Sequence, residues 1–116
     1  MTDCLHTLFS AWGDPDPAAR TAKTEAAAHS DLYYSDPNAP TPIHGRDDYL
    51  AYIQMFGDMA PGATAKVVAL SERHGHVRAT VAFVMGERTQ YGQYFAELSE
   101  GKINRLIGFS GMGESA

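Results

Sequence analysis

An α+β fold, in which a strongly curved antiparallel sheet wraps around three N-terminal helices, is predicted by two features of this sequence. Up to about residue 60 the apolar residues recur at helical spacing, and from Ala63 onward they recur at every second position. The second half is also cut by short turn signals, His74-Gly75, Gly86-Glu87-Arg88 and Glu100-Gly101. Strands joined by turns that short pair as an antiparallel meander. The 116 residues suit one domain, expected over 1–116 with a frayed tail at 110–116. Three helices cannot cover both faces of such a sheet. One face is therefore expected to enclose the helices and the other to meet water or a second subunit.

Leu5, Leu8, Phe9 and Trp12 lie at i, i+3, i+4 and i+7 and form one apolar helical stripe. Thr2 or Asp3 can cap that first helix, and Gly13 can end it. Asp16-Pro17 has the pattern of an N-cap followed by a first helical residue. The alanine-rich run 18–28 has high helix propensity and is expected to pack closely through Ala19, Ala22 and Ala26, with His29 at its end. Tyr49, Tyr52, Ile53 and Phe56 repeat the stripe in a third helix. Asp47 and Asp48 sit in its dipole-favoured first turn, and Gly57 and Pro61 stop it. Strands are expected at 64–73, 77–85, 90–98 and 102–109. In 90–98, Tyr94, Ala96 and Leu98 share one face, expected to point inward. The opposite register would turn Gln93 and Glu97 inward instead.

A net charge of -5 and the lack of any basic run argue against nucleic acid or an anionic membrane as partner. No apolar stretch approaches the ~20 residues that span a bilayer. The first residues have no basic, apolar leader pattern, and the single Cys4 forms no internal disulfide, so a cytoplasmic location is expected. The five histidines show no metal-ligand spacing, and no glycine-rich phosphate loop follows a strand. Neither metal nor cofactor is expected.

The segment 33–45, Tyr-Tyr-Ser-Asp-Pro-Asn-Ala-Pro-Thr-Pro-Ile-His-Gly, carries the most chemistry. Pro37, Pro40 and Pro42 stiffen the loop, so that one carboxylate, Asp36, can be held in a set direction beside Tyr33 and Tyr34. An acid held beside aromatics suits a general base. Asp-Pro is also a common turn opener, which would make Asp36 a plain turn residue. The two roles differ in sign. A buried base would gain stability on replacement by Asn, whereas a turn residue accepting backbone hydrogen bonds would lose it.

The ordered landmarks resemble the nuclear transport factor 2-like superfamily, in its SnoaL-like and ketosteroid-isomerase-like branch, over about residues 3–111. They are Trp12 before Gly-Asp, Tyr34-Ser35-Asp36-Pro37, Gly45, Pro61-Gly62, His74-Gly75, Gly92, Gly101-Lys102-Ile103 and Gly108-Phe109. The resemblance implies a cone, with a pocket at its open end and, in many members, homodimers through the outer sheet face. The superfamily hosts isomerases, cyclases, dehydratases, epoxide hydrolases and plain binding proteins, so the site must decide between them.

Asp36 is similar in position to the catalytic base of ketosteroid isomerases. Their tyrosine donor from the first helix has no counterpart, because residues 1–32 contain no tyrosine. Their second donor falls on Tyr94, counted back from Gly101-Lys102 with one residue missing from the turn. His44, before Gly45, would lie at the mouth of the cone as a helper, or be an exposed loop histidine. Trp12, Tyr34, Tyr52, Phe56, Phe83 and Phe109 could line the pocket or fill the core. The expectation is thus a small apolar ligand, met either by an isomerase, cyclase or lyase with Asp36, Tyr94 and His44, or by a non-catalytic binding protein or dimerisation module.

Overall fold

The computed structural model describes residues 3–111. Among them are three helices, α1 (Asp3–Ser10), α2 (Pro17–Ala27) and α3 (Arg46–Met59). Six strands, β1 (Ala28–Ser35), β2 (Ile43–His44), β3 (Thr64–Arg73), β4 (His76–Met85), β5 (Arg88–Ser99) and β6 (Lys102–Ser110), form one sheet in the order β2-β1-β6-β5-β4-β3. The α+β class is as expected, and β3 to β6 form the antiparallel meander the turns demanded. His74 and Glu100 precede Gly75 and Gly101 with φ of 52° and 55°, left-handed positions that tighten two of the hairpins.

Two strands were not expected. β1 follows α2 with no break, so the alanine run hides its start. It pairs parallel with β6, and this makes the sheet mixed rather than wholly antiparallel. β2 is a two-residue partner of β1. Register shifts between Val67 and Ala69 and between Glu97 and Leu98 mark bulges that bend the sheet around the helices.

The α1 stripe is core: Leu5, Leu8, Phe9 and Trp12 are buried against the inner sheet face. The proposed Thr2 cap lies outside the described residues. Asp16 caps α2 as expected, accepting from the Ala18 N–H at 3.1 Å. The buried face of α2 differs from the expected one, being Arg20, Thr24 and Ala27 rather than Ala19, Ala22 and Ala26. Polar side chains can occupy it because their bonds are made internally. Arg20 donates to the Asp14 carbonyl at 2.8 Å and to the Gln54 side chain on α3, and the Thr24 hydroxyl donates to the Arg20 carbonyl at 2.9 Å. His29 does not end α2. It sits in β1 with Nε2 2.7 Å from the Ser99 carbonyl oxygen.

α3 runs through Gly57 and ends at Ala60, whose N–H still reaches the Phe56 carbonyl at 3.0 Å. One glycine weakens a helix without stopping it. At the chain's end Ser110 closes β6 and the Gly111 N–H donates to the Tyr91 carbonyl at 2.8 Å, so this part of the tail is held in the sheet. Residues 112–116 lie outside the described residues. Among the described residues no helix is long and apolar enough to cross a membrane.

Candidate functional site

A cavity of about 830 Å³ opens where the C-terminal turn of α3, the loop after β1 and the ends of β4 to β6 converge. Its size suits a small molecule. Trp12 from α1, Tyr52 and Phe56 from α3, Phe83 from β4 and Tyr94 from β5 line it, as does Asp36. Trp12 is the hub of the rings, with centroids 6.0 Å from Tyr52, 5.0 Å from Phe56 and 5.5 Å from Phe83. Its Nε1–H donates to the Tyr49 hydroxyl at 2.7 Å, which fixes the indole.

Asp36 directly follows β1, and only 8% of its surface is exposed. Its carboxylate is crowded with donors. Oδ1 accepts from the backbone N–H of Asn38 at 2.8 Å and of Ala39 at 2.9 Å. The Tyr52 hydroxyl spans both oxygens, 2.8 Å from each, and the Tyr34 hydroxyl donates to Oδ2. Four donors match the roughly four acceptor positions of a carboxylate. The single Tyr34 proton is committed to Asp36, so Tyr94 must donate in the 3.2 Å contact between the two phenols. The protons of Tyr34, Tyr52 and Tyr94 therefore all point toward Asp36, and the side of these phenols left to the cavity carries lone pairs.

Burial pushes the Tyr34 and Tyr49 phenols well above their ordinary range, with neighbouring phenols and Asp36 adding to the rise. Burial also raises Tyr52, reinforced by its hydrogen bond to Asp36, and raises Tyr94, reinforced by the charge of Asp36. All four stay protonated at neutral pH; Tyr34, Tyr52 and Tyr94 donate, while the Tyr49 hydroxyl accepts from Trp12.

Of the residues picked out from sequence, Asp36, Tyr94, Trp12, Tyr52, Phe56 and Phe83 meet at this cavity. Phe109 borders it, but its ring packs edge-on against Phe95, 5.8 Å away on the outer face. Tyr34 is fully buried behind Asp36 and does not line the cavity. His44 is not at the mouth. It is exposed in β2, with its ring 5.3 Å from Tyr33, because pairing with β1 turns it to the outer face. β5 has the expected register, with Tyr94 and Ala96 buried and Phe95 exposed.

Met55, Met59 and Met85 also line the cavity and were not singled out for it. Met55 and Met59 continue the Tyr52–Phe56 stripe at i+3 and i+7, and Met85 follows Phe83 on the same strand face. That signal was present in the spacing. Among the described residues no cluster of three His, Cys, Asp or Glu side chains could hold a metal.

No protein-family model matches the chain, and no curated protein matches it. Solved structures do. A structure from Agrobacterium tumefaciens assigned to the SnoaL-like family superposes with a TM-score of 0.83 at 20% identity, covering 94% of this chain and 95% of that one. A protein of ketosteroid isomerase-like fold from Catenulispora acidiphila, in complex with trimethylamine, gives 0.77 at 11% identity, covering 95% and 86%. An epoxide hydrolase from M. tuberculosis gives 0.67 at 16% identity, covering 95% and 81%. The chain has the nuclear transport factor 2-like fold, in the form shared by SnoaL-like and ketosteroid isomerase-like structures.

Proposed function

We propose that the protein binds a small, mostly apolar molecule in the aromatic cavity without catalysing a reaction. One observation carries this reading: Asp36, the only charged side chain bordering the cavity among the described residues, has its acceptor positions filled by Tyr34, Tyr52, Asn38 and Ala39. A general base needs a lone pair open to the substrate's proton, and an oxyanion needs a donor aimed at it. Asp36 has no position to spare, and the Tyr94 proton is directed to Tyr34. The complex of the Catenulispora structure with trimethylamine is in keeping with a small ligand rich in alkyl groups.

A second reading keeps Asp36 as the base of an isomerase, cyclase or lyase, with Tyr94 as hydrogen-bond donor. It is favoured by the carboxylate bordering the cavity beside phenols, and it requires the Tyr52 hydroxyl to move off Asp36 when substrate enters. Trp12, the sole tryptophan, lines the cavity and reports on it directly. Titrating small apolar compounds against Trp12 fluorescence should give saturable changes, and proton NMR of the same mixtures should show the compounds unaltered. Conversion that disappears in Asp36→Asn would replace the binding reading with the enzymatic one.

We further propose a homodimer in the cytoplasm, formed through the outer sheet face. Phe95 and Phe109 are 46% and 55% exposed on that face. Around Phe95 the face carries Arg73, Arg78 and Arg105 together with Glu97, which lies opposite Arg105, so two copies related by a two-fold axis can exchange Arg–Glu pairs across it.

A further inference from the structure

The geometry points to a ligand with a quaternary ammonium group, its methylated nitrogen seated among Trp12, Tyr52, Phe56, Phe83 and Tyr94 within the field of Asp36. This rests on the binding reading above and names the chemical class of what is bound.

The charge balance comes first. Asp36 is buried, and among the described residues no Lys, Arg or His borders the cavity with it. Its neighbours are phenols and backbone N–H groups, which solvate the carboxylate without cancelling its charge. An enclosed, uncompensated negative charge favours a cation in the adjoining space. An anion or a forming oxyanion would meet the field of that carboxylate, with neutral donors on the lining only at Asn38, Gln90, Tyr91 and Ser110 besides the phenols already turned to Asp36. The net charge of -5 acts in the same direction at long range.

The hydrogen-bond count then selects among cations. A primary ammonium brings three N–H groups that need acceptors once water is gone. The carboxylate is already fully used by four donors, which leaves a primary ammonium only the weaker, neutral acceptors of the phenols and of the Asn38, Gln90 and Ser110 side chains. A quaternary ammonium has no N–H to satisfy. It offers charge and an apolar methyl surface, and ring faces attract such a cation most strongly when it is desolvated. Five rings at the cavity, three of them 5.0, 5.5 and 6.0 Å from Trp12, supply that surface.

The test compares three benzyl probes by Trp12 fluorescence: benzyltrimethylammonium, its neutral carbon isostere neopentylbenzene, and the unmethylated benzylammonium. Benzyltrimethylammonium should bind at least about tenfold tighter than either of the others. Neutral isostere binding as tightly as the cation would overturn the inference and leave the binding reading intact. No saturable binding by any probe would overturn both. Asp36→Asn should erase the preference for the cation over the isostere, but it risks loosening the loop. Tyr52→Phe serves as the second variant, since it keeps a ring and the charge while freeing the acceptor position that its single proton occupies between the two Asp36 oxygens. Benzylammonium should then gain at least severalfold on benzyltrimethylammonium. An unchanged ratio would refute the selection by hydrogen-bond count.

Discussion

Asp36 illustrates how far one residue can be read from its neighbours in sequence. Pro37 biases it to extended backbone, and the tyrosine two positions earlier falls on its own side of the strand; both follow from local chemistry. That placed the carboxylate at the cavity wall beside Tyr34, where it is found. The Tyr52 hydroxyl comes from α3, and the Asn38 and Ala39 N–H groups depend on the loop's actual turn, so neither contact was legible. These contacts decide the sign of a mutational effect. Asp36→Asn retains one carbonyl acceptor and turns an amide N–H₂ toward a donor, so a buried group loses its partner. We expect a loss of about 1–3 kcal/mol and a lower melting temperature at pH 7, seen by circular dichroism. A higher melting temperature would restore the buried-base account. The surrounding phenols give a second expectation. Tyr34, Tyr49, Tyr52 and Tyr94 are all held above the ordinary tyrosine range by burial. A pKa raised on folding means stability that is full below the unfolded value of ~10 and declines as pH climbs beyond it toward the folded values. Melting temperature should therefore stay level for these groups up to about pH 9 and drop steeply above about pH 10. Tyrosinate absorbance should show part of the phenols ionising only as the chain unfolds; full tyrosine titration in the folded state would contradict this.

At the level of elements, strands with hairpin partners were legible because both the period-two pattern and the turn residues are local. β3 begins and ends at the predicted residues, and β4 to β6 lie within two residues of theirs. β1 was not legible, since its pairing with β6 joins segments about 70 residues apart, as in Tyr34 opposite Leu106. One cross-strand pair carries the site. Tyr94 lies opposite Gly108, and a Cβ built on Gly108 would stand 2.6 Å from the Tyr94 Cζ. Any side chain there must push the ring away. Gly92, two residues before Tyr94, would bring a Cβ 3.4 Å from the same ring's Cε1. The glycines predicted from the family pattern thus make the flat bed on which the phenol lies. Gly108→Ala should cost about 1–3 kcal/mol through forced repacking. It should also move the Tyr94 hydroxyl off Tyr34 and weaken probe binding to the cavity. Gly57→Ala is the control. Its Cβ would meet no neighbour within 4 Å, and it sits in a helix, so it should leave binding unchanged and raise stability by about 0.5–1 kcal/mol.

For the molecule as a whole, the inner and outer faces of the sheet have separate tasks. The inner face closes the core and leaves one end unfilled as the cavity, while the outer face of β4 to β6 has no helix over it. Its centre is apolar, with Phe95 packed against Phe109 and opposite Ile107, and with Arg78 on its other side. Arg105 rests 4.8 Å over the Tyr33 ring at one side. An apolar centre with charged groups of both signs around it is the composition of a protein interface. A two-fold axis through it would let Arg78 or Arg105 of one copy pair with Glu97 of the other. Sedimentation equilibrium at tens of micromolar should give twice the mass of the 116-residue chain. Phe95→Lys removes the central ring and adds a positive charge beside Arg78 and Arg105, where a second copy would bring the same charge against it. That variant should sediment as a monomer. Because Phe95 points away from the cavity, the variant should still bind the probes that wild type binds. Loss of binding together with loss of the dimer would mean that the two faces are coupled, with the open end of the cone held in shape by the partner. A wild-type chain that stays monomeric at these concentrations would leave the apolar face without the occupant proposed for it and would remove the dimer from this account.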